Sequence, residues 1–364
     1  MGPNSLLTGV RVVELAQYLP APYGTQILAD LGAEVIKIEP PGGDPMRHLD
    51  QEGDGDSPIY QAINAGKVVT RLDLKSDDGL GQAKQLISRA DILVESFRPG
   101  TMDRLGLGHA ALIEDNPRLV HVALSGWGQT GPYAMRAGHD INYGAIAGSF
   151  AASGTEERPV APFPPMADMA SGMMVAIAAL AGIHKAGQSG QGGFYDLSIM
   201  ETMLAWQSFG LAEAVAGNPV KRGAGLLSGG AACYQFYQCA DGAWLSVGAL
   251  EEKFWARFCE ALERTDLIQR QFERPLPQTG LVAEVASIIA TQNRDEWMAV
   301  FQDIDCCVEP VLGWDEITEH QHVRKRGLVA DGQVLSGLKL DGKGPQTRQP
   351  VRELTSQAAL MLWD

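Results

Sequence analysis

The beat of the N-terminal third constrains this chain most. Short β-branched runs alternate there with helical stretches. Val10-Arg11-Val12-Val13-Glu14-Leu15 reads as a buried strand and Glu34-Val35-Ile36-Lys37-Ile38-Glu39 as a second. Lys67 to Leu74 is a third candidate, and Asp91 to Glu95 and Leu119 to Leu124 are two more. Helices are expected over Tyr23 to Leu31, closed by Gly32, and over Asp77 to Ala90. Strand, helix, strand in this rhythm predicts a parallel α/β sheet with right-handed crossovers. Ligands of such sheets sit outside the carboxyl ends of the strands. The first such turn reads Ala16-Gln17-Tyr18-Leu19-Pro20-Ala21-Pro22. It holds no Gly-x-Gly-x-x-Gly, and no Walker A loop follows, so the usual dinucleotide site and P-loop are disfavoured.

A second organisation begins near Gly229. Cys233 to Tyr237 and Trp244 to Val247 flank Asp241-Gly242, a hairpin signal. Helices follow at Glu251 to Leu262, Leu281 to Thr291 and Arg294 to Gln302. Before it, a long apolar helix is expected from Met166 to His184, broken at Gly187 to Gly193. A length of 364 residues suits about two domains.

Charge and cysteine content exclude several classes. The 29 basic and 44 acidic residues give a net charge of −15. A general nucleic-acid binder needs the opposite balance. No uninterrupted apolar run approaches the roughly 20 residues of a membrane span, and no secretory leader is read, so no membrane partner is expected. Cys233, Cys239, Cys259, Cys306 and Cys307 are odd in number and fit no zinc template. They read as reduced thiols of a cytoplasmic protein, with no metal site.

Three acidic or imidazole positions stand out. His139-Asp140 follows Gly138 and precedes an apolar run, a loop leading into a helix. It is either a solvated histidine with an N-capping aspartate or a reactive pair beside backbone N–H groups that bind an oxyanion. Asp168 follows Pro164-Pro165 and opens the long apolar helix. By position it is an N-cap; the other reading aims its carboxyl into an apolar pocket, where poor solvation raises its pKa. Glu251 opens a helix after a strand, with Glu252 equally eligible. Lys37, Lys75, Arg98 and Arg104 fall near strand ends, where a phosphate-bearing ligand docks if they are not simply solvated cations. Met166, Met169, Met173 and Met174 read first as helix core, and otherwise as a plastic surface for an acyl chain.

Two neighbouring segments, Gly126-Trp127-Gly128-Gln129-Thr130-Gly131-Pro132 and Ala137-Gly138-His139-Asp140-Ile141-Asn142-Tyr143, resemble the family III coenzyme A transferase superfamily. Within it the likeness is to the α-methylacyl-CoA racemase branch. Phe97-Arg98-Pro99-Gly100, Arg104-Leu105-Gly106-Leu107-Gly108 and Val247-Gly248-Ala249-Leu250-Glu251 support it. The resemblance implies a large Rossmann-like domain over 1–200 and 328–364, a linker over 201–228 and a smaller α+β domain over 229–327, in an interlocked homodimer with each site lying between the large domain of one subunit and the small domain of the other. It implies His139 and Asp168 as opposed bases, Glu251 as the carboxylate orienting His139, and Lys37, Lys75, Arg98 and Arg104 as CoA contacts. It implies an acyl-CoA thioester as substrate, with no metal or redox cofactor.

The chemistry suits these residue types. Removing a proton beside a thioester needs a base and a donor for the enolate oxygen, and the backbone N–H of Asp140 is the candidate donor. Inversion needs a second, protonated group on the other face. In the transferases of the superfamily the carboxylate matching Asp168 is instead a nucleophile that forms an aspartyl-CoA thioester. A non-catalytic acyl-CoA binder is a third class, disfavoured by the intact His139, Asp168 and Glu251.

Overall fold

β-branched residues on alternate positions build one parallel sheet. The computed structural model describes residues 5–49 and 55–364. Its first strands are β1 (Arg11–Leu15), β2 (Glu34–Glu39), β3 (Val68–Arg71), β4 (Ile92–Glu95), β5 (Val120–Ser125) and β6 (Gly193–Ser198). Helices α1 (Pro20–Asp30), α2 (Pro58–Asn64), α3 (Asp77–Ser88), α4 (Thr101–Arg104), α5 (His109–Asp115), α6 (Asp140–Ala147), α7 (Met166–Ser189) and α8 (Ile199–Trp206) lie between and beyond them. The chain goes on through α9 (Ser208–Val215), β7 (Tyr234–Gln238), β8 (Trp244–Gly248), α10 (Glu252–Ala261), α11 (Thr279–Ile289) and α12 (Arg294–Phe301). It ends with β9 (Val308–Pro310), α13 (Trp314–Ile317), α14 (Gln321–Arg326), β10 (Val329–Ala330), β11 (Gln333–Val334), β12 (Arg352–Glu353) and α15 (Ser356–Leu360).

The large sheet runs β12-β3-β2-β1-β4-β5-β6, with every pairing parallel. Strand order reverses between β1 and β4, so a crevice opens beyond their carboxyl ends. The two faces follow the period of two. Val12, Val35, Ile92, Val94, Val120, Val122 and Leu124 pack under α1 and α7. Val13, Leu15, Ile36, Ile38, Val68 and Leu93 pack toward α3 and the C-terminal Trp363.

The chain divides into two compact units, 1–147 with 163–206 and 321–364, and 148–162 with 207–320. The boundaries differ from those expected. Residues 201–228 carry helix as well as loop, and 148–162 belongs with the second unit. Arg222 Nε donates to the Phe150 carbonyl at 2.9 Å, and the amide N–H of Gly223 reaches the Ala152 carbonyl. Such pairings over some 70 residues leave no local sequence signal. In the second unit β7, β8 and β9 form an antiparallel sheet. The hairpin turns at Gly242, whose φ of 82° is left-handed. Its core stacks Trp255, Phe258, Trp297 and Phe301.

Helix α7 is long and apolar enough to cross a membrane by length and composition, yet half of that window is buried inside the protein. It lies close against α1, with Gly24 and Gly172 facing the other helix's backbone and the side chains of Val175 and Tyr23 beside them. A Cβ on Gly24 would stand 2.6 Å from the Gly172 carbonyl oxygen, and one on Gly172 would stand 2.6 Å from that of Pro20. Gly187, in the same helix, faces open space. Alanine at the two positions should therefore act in opposite directions. Gly172→Ala should cost about 1–3 kcal/mol by forcing the helices apart. Gly187→Ala should gain about 0.5–1 kcal/mol from helix propensity. Chemical denaturation of the two variants measures both.

Candidate active site

The site is built from glycines that make room for one tyrosine. A Cβ on Gly126 would lie 2.3 Å from the Tyr143 hydroxyl, and one on Gly138 would lie 2.8 Å from its ring. Tyr143 Oη donates to the Gly138 carbonyl at 2.6 Å, and Trp127 meets the ring edge-on at 4.9 Å. The glycines of both sequence motifs thus fix the turn that enters α6.

His139 precedes that helix and is exposed. Its amide N–H donates to Asn142 Oδ1 at 3.1 Å, and its carbonyl accepts from the N–H groups of Asn142 and Tyr143. Asp140 is the first residue of α6, and among the described residues nothing accepts from its backbone N–H. Its carboxylate turns to α7. Oδ1 accepts the N–H of Ala167 at 2.6 Å and of Asp168 at 3.1 Å. The cap of α7 therefore comes from a residue 28 positions earlier in the chain.

That arrangement corrects the plain N-cap reading of Asp168. The N-cap position is Pro165, whose ring carries no hydrogen-bond acceptor, and Asp168 sits inside the first turn. Its carboxyl is part-buried and spared from capping. Burial pushes its pKa up to about 7, and the neighbouring charge of Asp140 adds to the shift. Burial also raises the Tyr143 phenol, Asp168 adds to that shift and Arg98 opposes it. Asp140 and Asp168 thus stand together in the first unit, Tyr143 feels the charges of Asp168 and Arg98, and His139 adjoins Asp140 in the chain.

The cations divide. Arg98 is exposed and lines a cavity of about 340 Å³ with Glu95, Gln129 and Phe194. Arg104 is exposed, its guanidinium donating to Thr101 Oγ1 at 2.8 Å, and Lys75 is exposed. Lys37 is otherwise. Its side chain has 0% exposure, and its ammonium meets Glu14 at 2.7 Å, Asp44 at 2.8 Å and the Ala16 carbonyl at 3.0 Å. It is not a surface cation free to take a phosphate. Alternation along β2 points it inward, where Glu14 of β1 stands in register with it.

The methionines are a third correction. Met166 is 37% and Met173 50% exposed, so they are not core. Met169 and Met173 line a cavity of about 840 Å³ with Tyr23, Ile27 and Ile63. Glu251 occupies the N-cap position of α10 in the second unit, exposed and capping nothing with its side chain. Burial raises the nearby Cys307 thiol, and the Glu251 charge adds to it. Cys233, Cys239, Cys259 and Cys306 are buried free thiols. Among the described residues no group of three or more His, Cys, Asp or Glu is placed to hold a metal ion.

Sequence reasoning missed Tyr143 as an organiser and Glu95 as a buried acid whose pKa burial lifts to about 7. The signal for Glu95 was a charged residue ending an otherwise apolar strand.

The family model for CoA-transferase family III matches residues 7–352. The chain belongs to this family. The α-methylacyl-CoA racemase of Mus musculus is 35% identical over 336 residues, 91% of this chain and 84% of the racemase. Transferases of the family are similar too. The succinyl-CoA–D-citramalate CoA-transferase of Chloroflexus aurantiacus is 34% identical over 73% of this chain and 67% of that protein. The succinyl-CoA:glutarate CoA-transferase of Homo sapiens is 29% identical over 94% of this chain and 80% of that protein. The crystal structure of a CAIB/BAIF family protein from Brucella suis superposes with a TM-score of 0.85 at 25% identity, covering 98% of this chain and 99% of that one. The α/β fold and its seven-stranded parallel sheet are therefore those of the family, and the chain is an enzyme of it.

The raised pKa of Asp168 has a stability consequence. A carboxyl that holds its proton up to about 7 when folded and 3.8 when unfolded binds more protons in the native state between those values. Stability from this group falls as pH rises through that window. Asp168→Asn should therefore raise Tm at pH 8 by roughly 2–4 °C, with a smaller gain at pH 5, where the native carboxyl is already neutral. Thermal melts at the two pH values decide it.

Proposed function

We propose that this enzyme inverts the α-carbon of 2-methylacyl-CoA thioesters by two-base proton transfer through an enolate. The observation that carries the reading is the division of labour between adjacent carboxylates. Asp140 caps α7, which leaves the part-buried Asp168 to hold a proton near neutral pH. An acid protonated at pH 7 beside an exposed histidine is what inversion requires.

In one direction His139 takes the α-proton. The C–H electrons move into the thioester as an enolate, and Asp168 delivers its proton to the opposite face of the same carbon. The reverse reaction exchanges the roles. The free backbone N–H of Asp140 is the donor for the enolate oxygen, and such donors are worth about 3–4 kcal/mol. Arg98, Arg104 and Lys75 hold the nucleotide and phosphates of CoA. The exposed methionines of α7 offer an adaptable surface to the acyl chain. Glu251 orients His139 from the small domain of a second copy. Large apolar side chains in the open favour such a partner: on α9, Phe209 is 83% and Val215 82% exposed.

A second reading has its own support, in the transferases similar to this chain and in the carboxyl of Asp168 released from capping. Asp168 then attacks the donor thioester and expels CoA thiolate, the thiolate attacks the aspartyl carbonyl of the mixed anhydride and releases the donor acid, and the resulting aspartyl-CoA thioester passes CoA to an acceptor acid by the reverse sequence.

Proton NMR of the wild type with one enantiomer of a 2-methylacyl-CoA in heavy water separates the two. Loss of the α-proton together with loss of optical purity is the expected result, abolished in His139→Ala and in Asp168→Ala. An unchanged α-proton with a CoA-bearing adduct on Asp168 by mass spectrometry makes the protein a transferase. Light scattering at micromolar concentration should give twice the 39.0 kDa chain mass; a monomer removes the role given to Glu251.

A further inference from the structure

The loop that leaves β1 at the strand-order reversal is held from beneath by four buried ions. Glu14 Oε1 takes Lys37 Nζ at 2.7 Å, and Glu14 Oε2 takes Lys67 Nζ at 2.9 Å and Thr25 Oγ1 at 2.5 Å. Lys37 also pairs with Asp44 at 2.8 Å, and all four charged side chains have 0% exposure or are wholly buried. Two positive and two negative charges cancel within the cluster.

Lys67 Nζ also donates to Asn64 Oδ1 at 3.0 Å, and other bonds of the cluster go to the loop and to the turn after β2. Lys37 Nζ donates to the Ala16 carbonyl at 3.0 Å and Lys67 Nζ to that of Pro22 at 2.8 Å. Asp44 Oδ1 accepts the N–H of Tyr18 at 3.2 Å and of Met46 at 3.0 Å. The residue so held is strained. Tyr18 has a φ of 64°, the left-handed region that an L residue other than glycine enters at a cost, and its side chain is 49% exposed. Nothing in the core asks for an aromatic ring there.

The loop faces Asp168. Residues four apart lie on one stripe of a helix, so Asp168 shares a face of α7 with Gly172. A Cβ on Gly172 would touch the carbonyl of Pro20, two residues beyond Tyr18. The face of α7 that bears the reactive carboxyl therefore looks toward this loop, at the crevice where ligands of such sheets bind.

We infer that Tyr18 is a substrate-positioning residue: its ring, held in a strained backbone by the buried Lys37–Asp44 pair, forms a wall for the acyl end of the thioester. The inference rests on the acyl-CoA reading above. Asp44 and Lys37 act through Tyr18 and touch no substrate.

Calorimetric titration of the full chain with a 2-methylacyl-CoA and, separately, with free CoA tests it. Tyr18→Gly removes the ring and accepts the same φ. It should weaken acyl-CoA binding about tenfold, leave the affinity for free CoA within twofold, and not lower Tm. In turnover it should raise KM with kcat little changed. Tyr18→Phe restores the ring and should recover the affinity. Asp44→Asn should weaken acyl-CoA binding in the same sense, and adding it to Tyr18→Gly should cost nothing more, because both act on one contact. Where Asp44→Asn does not fold, the two Tyr18 variants still decide. Equal acyl-CoA affinity in wild type and Tyr18→Gly, or fully additive losses in the double variant, overturns the inference. Wild-type protein that binds acyl-CoA but neither exchanges the α-proton nor transfers CoA overturns the proposed reaction and leaves this contact testable by binding alone.

Discussion

The first unit's chemistry depends on where Asp140 puts its carboxylate. The first N–H groups of an α-helix have no partner within the helix. Helix α7 begins at two prolines and offers no capping side chain of its own. Asp140 supplies the acceptor from the start of α6, which ties two helix N-termini together through one oxygen. Two consequences follow from that bond. The backbone N–H of Asp140 stays open at the end of its own helix, and Asp168 is relieved of the role its position suggests. A capping aspartate at 168 would be ionised and engaged. An uncapped one, part-buried beside another carboxylate, keeps its proton toward neutral pH.

The buried ions beneath the β1–α1 loop illustrate a different balance. Burial acts against every charge in the cluster. For Lys37 the two carboxylates more than offset it, and its pKa is raised; for Lys67 burial wins, and its pKa falls to about 8. For Glu14 the two lysines overcome burial and pull the pKa down to about 2. Such clusters seldom add net stability over apolar packing, and removing one member strands the others. What this one supplies is direction, since three of its bonds end on backbone atoms of Ala16, Tyr18 and Pro22.

The α1–α7 contact sets how closely these parts approach. Gly24 and Gly172 let backbone meet backbone, and the crossing carries Asp168 up to the loop that the ions hold. A side chain at either glycine would widen the gap between the Asp168 carboxyl and the loop, so a close helix contact and that carboxyl share one helix.

The strands β1, β2, β4 and β5 and the helices α1, α3 and α7 were legible in the residues, because alternation and helical periodicity are local properties. So were the candidate side chains, since the Gly-His-Asp segment and the Asp168 that opens α7 stand out in the order of residues. Strand order was not legible, nor the return of β12 to the sheet edge, because parallel pairing joins segments far apart. Burial of Lys37 depended on Glu14 lying in register across two strands, and a strand-end lysine reads the same whether it faces water or a buried carboxylate. The order of residues alone named the candidate groups and the class of sheet that carries them. Only the tertiary structure decided their protonation and freedom: which aspartate caps and which keeps its proton, and which lysine is exposed to a ligand. Desolvation and hydrogen bonding depend on neighbours that the chain brings in from elsewhere.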